Sequence, residues 1–162
     1  MNKRDLLKLG AAAGLAGAAA PSFAASAGPL TRDEYQRYLD LFNANDPSFI
    51  EFYHPDVQFE LGTTQMQGAE TIRDFYANVK TYIKEEVTCT EYVANDTTVA
   101  VEIPTRFECI RDWEDSFWGV PLKKGQVLSI ITFGFYRMQD RKFAGIKTAR
   151  YKVVHAWRME QG

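Results

Sequence analysis

The sequence predicts an α+β domain in which a cone-shaped antiparallel sheet curves around N-terminal helices. Three observations carry that expectation. Helical apolar spacing is confined to the stretch between residues 31 and 83, and almost everything after it alternates with the period of two that marks strands. Two hairpin signals, Asn95-Asp96 and Gln139-Asp140-Arg141, divide the second half into paired strands. Helices segregated to one face of such a sheet make an α+β domain, and a long bent sheet wrapped around them leaves a conical pocket.

The elements follow in order. Thr31-Arg32-Asp33-Glu34 reads as a capping box, behind which Tyr35, Tyr38, Leu39 and Phe42 form one helical stripe to about Ala44. Asn45-Asp46-Pro47 breaks that helix, and Pro47 opens a short second one through Phe49, Ile50 and Tyr53. His54-Pro55-Asp56 stops it. Val57, Phe59 and Leu61 alternate with Gln58 and Glu60 as a short strand, and residues 62–68 read as a loop. A third helix spans 68–83, with Ile72, Phe75, Tyr76, Val79 and Ile83 on one face. Strands are expected at 86–94, 97–110, 126–138 and 142–157.

Residues 1–27 are expected to lie outside this domain of 28–162. They combine a basic start (Lys3, Arg4, Lys8), an Ala/Gly/Leu middle and the small residues Ala25-Ser26-Ala27, which is the layout of a cleavable export signal. Lys3-Arg4-Asp5-Leu6-Leu7-Lys8 also resembles a twin-arginine signal with lysine in the first arginine position. The expected location is therefore the periplasm or the exterior, with no membrane attachment after cleavage. The net charge of −2 offers no basic face for nucleic acid. In an oxidising compartment Cys89 and Cys109 are worth testing as a disulfide. The Asn95-Asp96 hairpin places Ala94 opposite Val99 and Cys89 opposite Pro104, so Cys109 lies roughly 17 Å further along at about 3.3 Å per residue. That exceeds the span of a disulfide, and two free, mostly buried thiols are expected. His54 and His155 are far in sequence from both cysteines, so no metal-binding spacing arises.

The order and spacing of "FNANDPSFIEFYHPDVQFE", "GAETIRDFYANV", "VAVEIPTRFE", "FWGVPLKKG" and "FGFYRMQDRKFAGIK" resemble the nuclear transport factor 2-like superfamily, in particular its SnoaL-like polyketide cyclase and ketosteroid isomerase-like branch. The resemblance spans roughly residues 30–157 and implies a cystatin-like α+β barrel, pairing into a homodimer through the sheets, and a small hydrophobic ligand. Cyclases and isomerases of this kind are similar in placing an aspartate three positions before the hairpin arginine, here Gly134. The isomerase base falls near Leu61, and Tyr38 falls where isomerases keep an oxyanion-donating tyrosine. The Arg106-x-Glu108 pair is similar to the Arg-x-Asp pair of limonene-epoxide hydrolase, whose remaining aspartate falls near Thr148.

On the 99–110 strand Val99, Val101, Ile103, Phe107 and Cys109 share one face, and Glu102, Arg106 and Glu108 the other. That second face is either solvated, part of a dimer surface, or the wall of the cone. In the last case Glu108 is the base, Arg106 its orienter or an anion clamp, and Tyr38 the proton donor. Trp113, Phe117 and Trp118 are expected at the rim, with Phe59 and Tyr76 in the wall, as substrate contacts. His54 reads as a capping residue, Glu60 faces either way, and at most one of Lys147 and Arg150 points inward. The function expected is a cofactor-free, metal-free isomerase, dehydratase or lyase acting on an aromatic or terpenoid compound. The alternative is a non-catalytic small-molecule binding protein of the same fold.

Overall fold

A computed structural model describes residues 28–160, so the expected export signal lies outside the described residues. Helix α1 spans Arg32–Asn43 and opens with the predicted capping box: the Thr31 hydroxyl accepts from the Glu34 N–H, and Glu34 accepts from the Thr31 N–H at 2.8 Å. A 3-10 helix at Pro47–Phe52 is capped by Asp46 and leads without a break into β1, Tyr53–Leu61. The strand therefore begins four residues earlier than the alternation suggested. Pro55 lies inside it, and pairing with the last strand is irregular between Tyr53 and Gln58, where the missing N–H leaves a gap in the ladder.

Strand β2, Thr64–Gln67, occupies the predicted loop and folds back on β1 through a two-residue turn in which Gly62 takes a positive φ of 61°. Helix α2 covers Ala69–Val79 and stops one turn earlier than predicted. The residues beyond it open a new strand, β3 (Ile83–Val87). Strands β4 (Glu91–Asn95), β5 (Thr98–Cys109), β6 (Gln126–Gln139) and β7 (Lys142–Met159) complete the sheet, in the order β2-β1-β7-β6-β5-β3 with β4 also on β5. One pairing, β1 with β7, is parallel; the other pairings are antiparallel.

Ala94 opposes Val99 as the sequence predicts. The predicted single strand 86–94 is interrupted, however. Glu91 pairs with Glu102 and Val87 with Thr105, so one extra residue is accommodated among Thr88–Thr90. This bulge matters for the site, because it decides which residues of β3 face the helices.

The concave face of the sheet covers the helices. Tyr35, Tyr38, Leu39 and Phe42 of α1 pack on Phe49, Tyr53, Phe143, Ile146 and Tyr136 in the main core. A second core gathers Val79, Ile83, Phe107, Cys109, Trp113, Leu122 and Leu128. Both cysteines are free, Cys109 buried and Cys89 half-buried, as expected, although the extra residue puts Thr88 rather than Cys89 beside Pro104.

Candidate functional site

Strict alternation along β5 settles which face is which. Val99, Val101, Ile103, Thr105, Phe107 and Cys109 are buried against the helices, and Glu102, Arg106 and Glu108 lie on the outer face. The Arg106–Glu108 pair does form, at 2.9 Å, but it lies outside the cone, where Arg106 also holds Glu160 at 2.8 Å. This corrects the assignment of Glu108 as base and Arg106 as orienter. A strand with one covered face turns its apolar side to the cover. We expect Arg106→Met and Glu108→Gln to lower stability by less than about 1 kcal/mol, as for other exposed ion pairs. Turnover should stay within roughly twofold of wild type; a loss of activity without a loss of Tm would return the pair to the site.

The space inside the cone has two connected parts. A cavity of about 580 Å³ opens between α2, the β1–β2 turn and the 110–125 connection, lined by Phe75, Tyr76, Val79, Phe107, Phe117 and Trp118 among others. An inner chamber of about 90 Å³ continues toward Tyr38, Phe42, Phe59, Val87, Ile103 and Tyr136. Leu61, Tyr76, Glu85, Phe107, Ile130, Thr132 and Thr148 line both parts. Four of the expected substrate contacts, Phe59, Tyr76, Phe117 and Trp118, are therefore cavity walls, and Tyr38 lies at the inner end. Trp113 is not a wall. It is 8 % exposed, stacks on Tyr82 at 4.7 Å and bridges by backbone to Leu122, which places it in the second core beneath the rim.

The carboxyl group in the cavity is that of Glu85. On β3, Ile83, Glu85 and Val87 share the inward face, so an acid stands between two fully apolar neighbours. No hydrogen bond or ion pair within 4 Å engages it among the described residues, and it is partly exposed while lining the cavity. Burial raises its carboxyl to about 7, against a smaller opposing effect of the Lys80 ammonium. Lys80 itself donates to the Phe42 carbonyl and stands 3.8 Å from the Phe42 ring centroid, and burial lowers its ammonium.

Tyr38, Tyr76 and Tyr136 line the inner chamber together with this acid. Tyr38 and Tyr53 share a hydrogen bond of 2.9 Å, as do Tyr35 and Tyr136. Burial pushes the phenols of Tyr38 and Tyr76 well above their ordinary value; Tyr53 adds to the effect at Tyr38, and Glu85 adds to it at Tyr76. Both remain protonated donors across the neutral range. His54 accepts from the Asp56 N–H at 3.2 Å, a local capping role. Glu60 points outward to Lys147 at 3.1 Å, and of the pair Lys147/Arg150 it is Arg150 that lines the cavity.

A family model for the SnoaL-like domain matches residues 35–162. The chain belongs to the SnoaL-like domain family. Solved structures similar to this SnoaL-like chain include a candidate polyketide cyclase from Silicibacter sp., with 23 % identity and a TM-score of 0.63 over 73 % of this chain and 86 % of that one. A second candidate polyketide cyclase, from Pseudomonas putida, shares 20 % identity and a TM-score of 0.61 over 71 % and 86 %. An LEH-like epoxide hydrolase of M. tuberculosis shares 10 % identity and a TM-score of 0.57 over 72 % and 78 %. At these identities the likeness establishes the fold alone. No curated protein matches the chain.

Within the SnoaL-like frame, the three positions that the resemblance marks for acids hold Leu61, Gly134 and Thr148. Leu61 and Thr148 line the cavity, and Gly134 faces the same side of β6 as Thr132 and Tyr136. The carboxyl that lines the cavity is instead on β3, at Glu85. The sequence signal for it was Ile83-x-Glu85-x-Val87, obscured because Ile83 also continues the helical stripe of α2.

Proposed function

We propose that this SnoaL-like protein is an acid–base enzyme acting on a small hydrophobic compound, with Glu85 as the proton-transfer group. The observation that carries this reading is a single carboxyl, free of protein partners, inside an aromatic cavity that holds it near neutrality. Such a group is populated as both base and acid at neutral pH, which proton transfer in two directions requires. Structural neighbours that include a candidate polyketide cyclase, an LEH-like epoxide hydrolase and a protein with a ketosteroid isomerase-like fold support enzymatic use of such a cavity.

In the proposed step the Glu85 carboxylate takes a proton from a carbon next to a carbonyl. The C–H electron pair moves into the new C=C bond, and the carbonyl π pair settles on oxygen. The hydroxyl of Tyr38 or Tyr76 donates to that oxygen. Either hydroxyl can donate in the Tyr38–Tyr53 hydrogen bond, and the step uses the arrangement in which Tyr53 donates and the Tyr38 proton enters the chamber. The protonated Glu85 then returns its proton to a different carbon, an isomerisation, or to a departing hydroxyl that leaves as water, a dehydration. Neither outcome consumes an oxidant or a reductant.

The test is turnover of a panel of aromatic and terpenoid ketones and alcohols against pH. For a substrate found, kcat/KM is expected to reach half its plateau near pH 7, and Glu85→Gln to lower kcat by on the order of a thousandfold. Full activity in Glu85→Gln, or binding of panel compounds with no turnover of any, overturns the enzyme reading.

The outer face of the sheet supports a proposed homodimer. Val93 (71 % exposed), Phe133 (46 %), Phe135 (48 %) and Tyr151 (64 %) present a broad apolar surface, with Phe133 packed on Tyr151 at 5.0 Å. Sedimentation should show a dimer that Phe133→Lys converts to monomer; a wild-type monomer at high micromolar concentration excludes it.

A further inference from the structure

The cavity is electrostatically lopsided, and its asymmetry identifies the ligand's chemistry. Of the residues lining its two parts, only Glu85 and Arg150 belong to charged types. Glu85 lines both parts and so stands at their junction, while Arg150 lines only the outer part and is exposed at its mouth. The rest of the outer wall is apolar apart from hydroxyls: Thr132 and Thr148 on the sheet, Thr63 and Thr64 at the β1–β2 turn, and Tyr76 on α2.

Arg150 is placed there by the strand geometry. It pairs across from Thr132 on the inward face of β7. Immediately afterwards the register slips, with Thr132 opposite Arg150 but Ile131 opposite Lys152, so that Tyr151 is the extra residue. Such bulges re-aim side chains beside sites. Tyr151 turns to Phe133 on the outer face, and Arg150 is the last inward residue before the slip. Every other arginine of β5 to β7 and their turns is differently occupied or placed. Arg106 and Arg141 are held in ion pairs, Arg137 and Arg158 line depressions outside the cone, and Arg111 stands 5.5 Å from the Tyr82 ring. Arg150 has no ion pair or side-chain hydrogen bond among the described residues.

We propose that Arg150 is the specificity anchor of the cavity and that its ligand is an amphipathic molecule, a hydrophobic body of aromatic or alicyclic character carrying an anionic group such as a carboxylate. The assignment deepens the acid–base reading and rests on the same cavity. Its logic is one of polarity. An anionic group is attracted to Arg150, whose planar fork suits a carboxylate or sulfonate, and is repelled from Glu85 whenever that carboxyl is ionised. The ligand therefore enters body first, with its charged end at the mouth between Arg150 and the Phe117–Trp118 rim. The atoms that reach Glu85 are those farthest from the anion. A neutral ligand of the same shape has no such constraint and binds in either direction.

The test uses two fluorescent probes sharing one anilinonaphthalene body, 8-anilinonaphthalene-1-sulfonate and the uncharged N-phenyl-1-naphthylamine, titrated into the purified protein. The anionic probe is expected to bind about tenfold more tightly, a typical worth for one charge-assisted contact. Arg150→Gln should erase that preference while changing the neutral probe's Kd less than about twofold, and Arg150→Lys should keep part of it. Phe133→Lys, on the outer face, should change neither Kd and so places the probes in the cone. Equal affinities in the wild type, an equal loss of both probes in Arg150→Gln, or loss of the anionic probe in Phe133→Lys each overturn the proposal. Glu85→Gln separates the two readings: it should abolish turnover yet retain the anionic preference. Retained turnover in that variant condemns the role of Glu85 and leaves Arg150 to be judged on the probe ratio.

Discussion

Glu85→Gln is expected to make the protein more stable at about pH 8 while removing its activity. The folded chain holds the Glu85 proton up to about 7, whereas the ordinary glutamate value is 4.5. Across that window the native state binds the extra proton, so stability falls as pH rises from 4.5 to about 7 and stays reduced above. At 1.36 kcal/mol per unit the rise from 4.5 to about 7 corresponds to at most about 3.4 kcal/mol, which the side chain's partial exposure reduces to roughly 2–3 kcal/mol. Lys80 offsets part of the cost of ionised Glu85, and its own ammonium loses that support in the variant. Thermal melts of wild type and variant should therefore diverge at about pH 8 and converge near pH 4, where both side chains are neutral. A variant less stable at both pH values would mean that the carboxylate is structural and that the cavity does not destabilise it.

The second large effect is expected at Gly134. A Cβ there meets Tyr136 Cε2 at 2.8 Å, Ile103 Cδ1 at 2.9 Å and Val101 Cγ2 at 3.0 Å. None of these neighbours yields cheaply: all three are buried, and the Tyr136 ring is fixed by its hydroxyl bond to Tyr35. Gly134→Ala should cost about 1–3 kcal/mol by overpacking. Gly134→Asp adds an uncompensated charge to the core and should cost more than about 3 kcal/mol, enough to prevent folding in many domains of this size. Restoring the acid that the resemblance marks for this position therefore does not restore its chemistry. If Gly134→Asp melts within about 2 °C of wild type, the space assigned to Tyr136 and Ile103 is more plastic than the structure implies.

Much of this architecture was legible because local signals were strong. The Thr31–Glu34 box, the Asn95-Asp96 turn and the long alternations of β5 to β7 each have a local cause that the chain states directly. The first half of β1 and all of β2 were not legible: Pro55 argues against a strand, and Thr64–Gln67 has no apolar alternation strong enough to announce one. At the site, period two correctly grouped Arg106 with Glu108 but could not by itself say which face met the helices. The apolar partners Val101, Ile103 and Phe107 contained that answer, since a sheet covered on one side buries its apolar face. Glu85 escaped for a different reason. Ile83 fits both the helical stripe of α2 and the strand that follows, and giving it to the helix removed the inward neighbour that would have exposed the acid between Ile83 and Val87.

The extra residue among Thr88–Thr90 has a consequence for how such a pocket changes over evolutionary time. Were pairing to continue regularly from Glu91–Glu102, Glu85 would turn to solvent, and Lys84 and Glu86 would enter the cone instead. The same amino acids would then offer a lysine and a glutamate in place of one lone acid. What the cavity presents to a ligand is thus governed by counting along the chain as much as by composition. A shift of one residue in this segment could rewrite the chemistry with no codon for a cavity-lining residue altered.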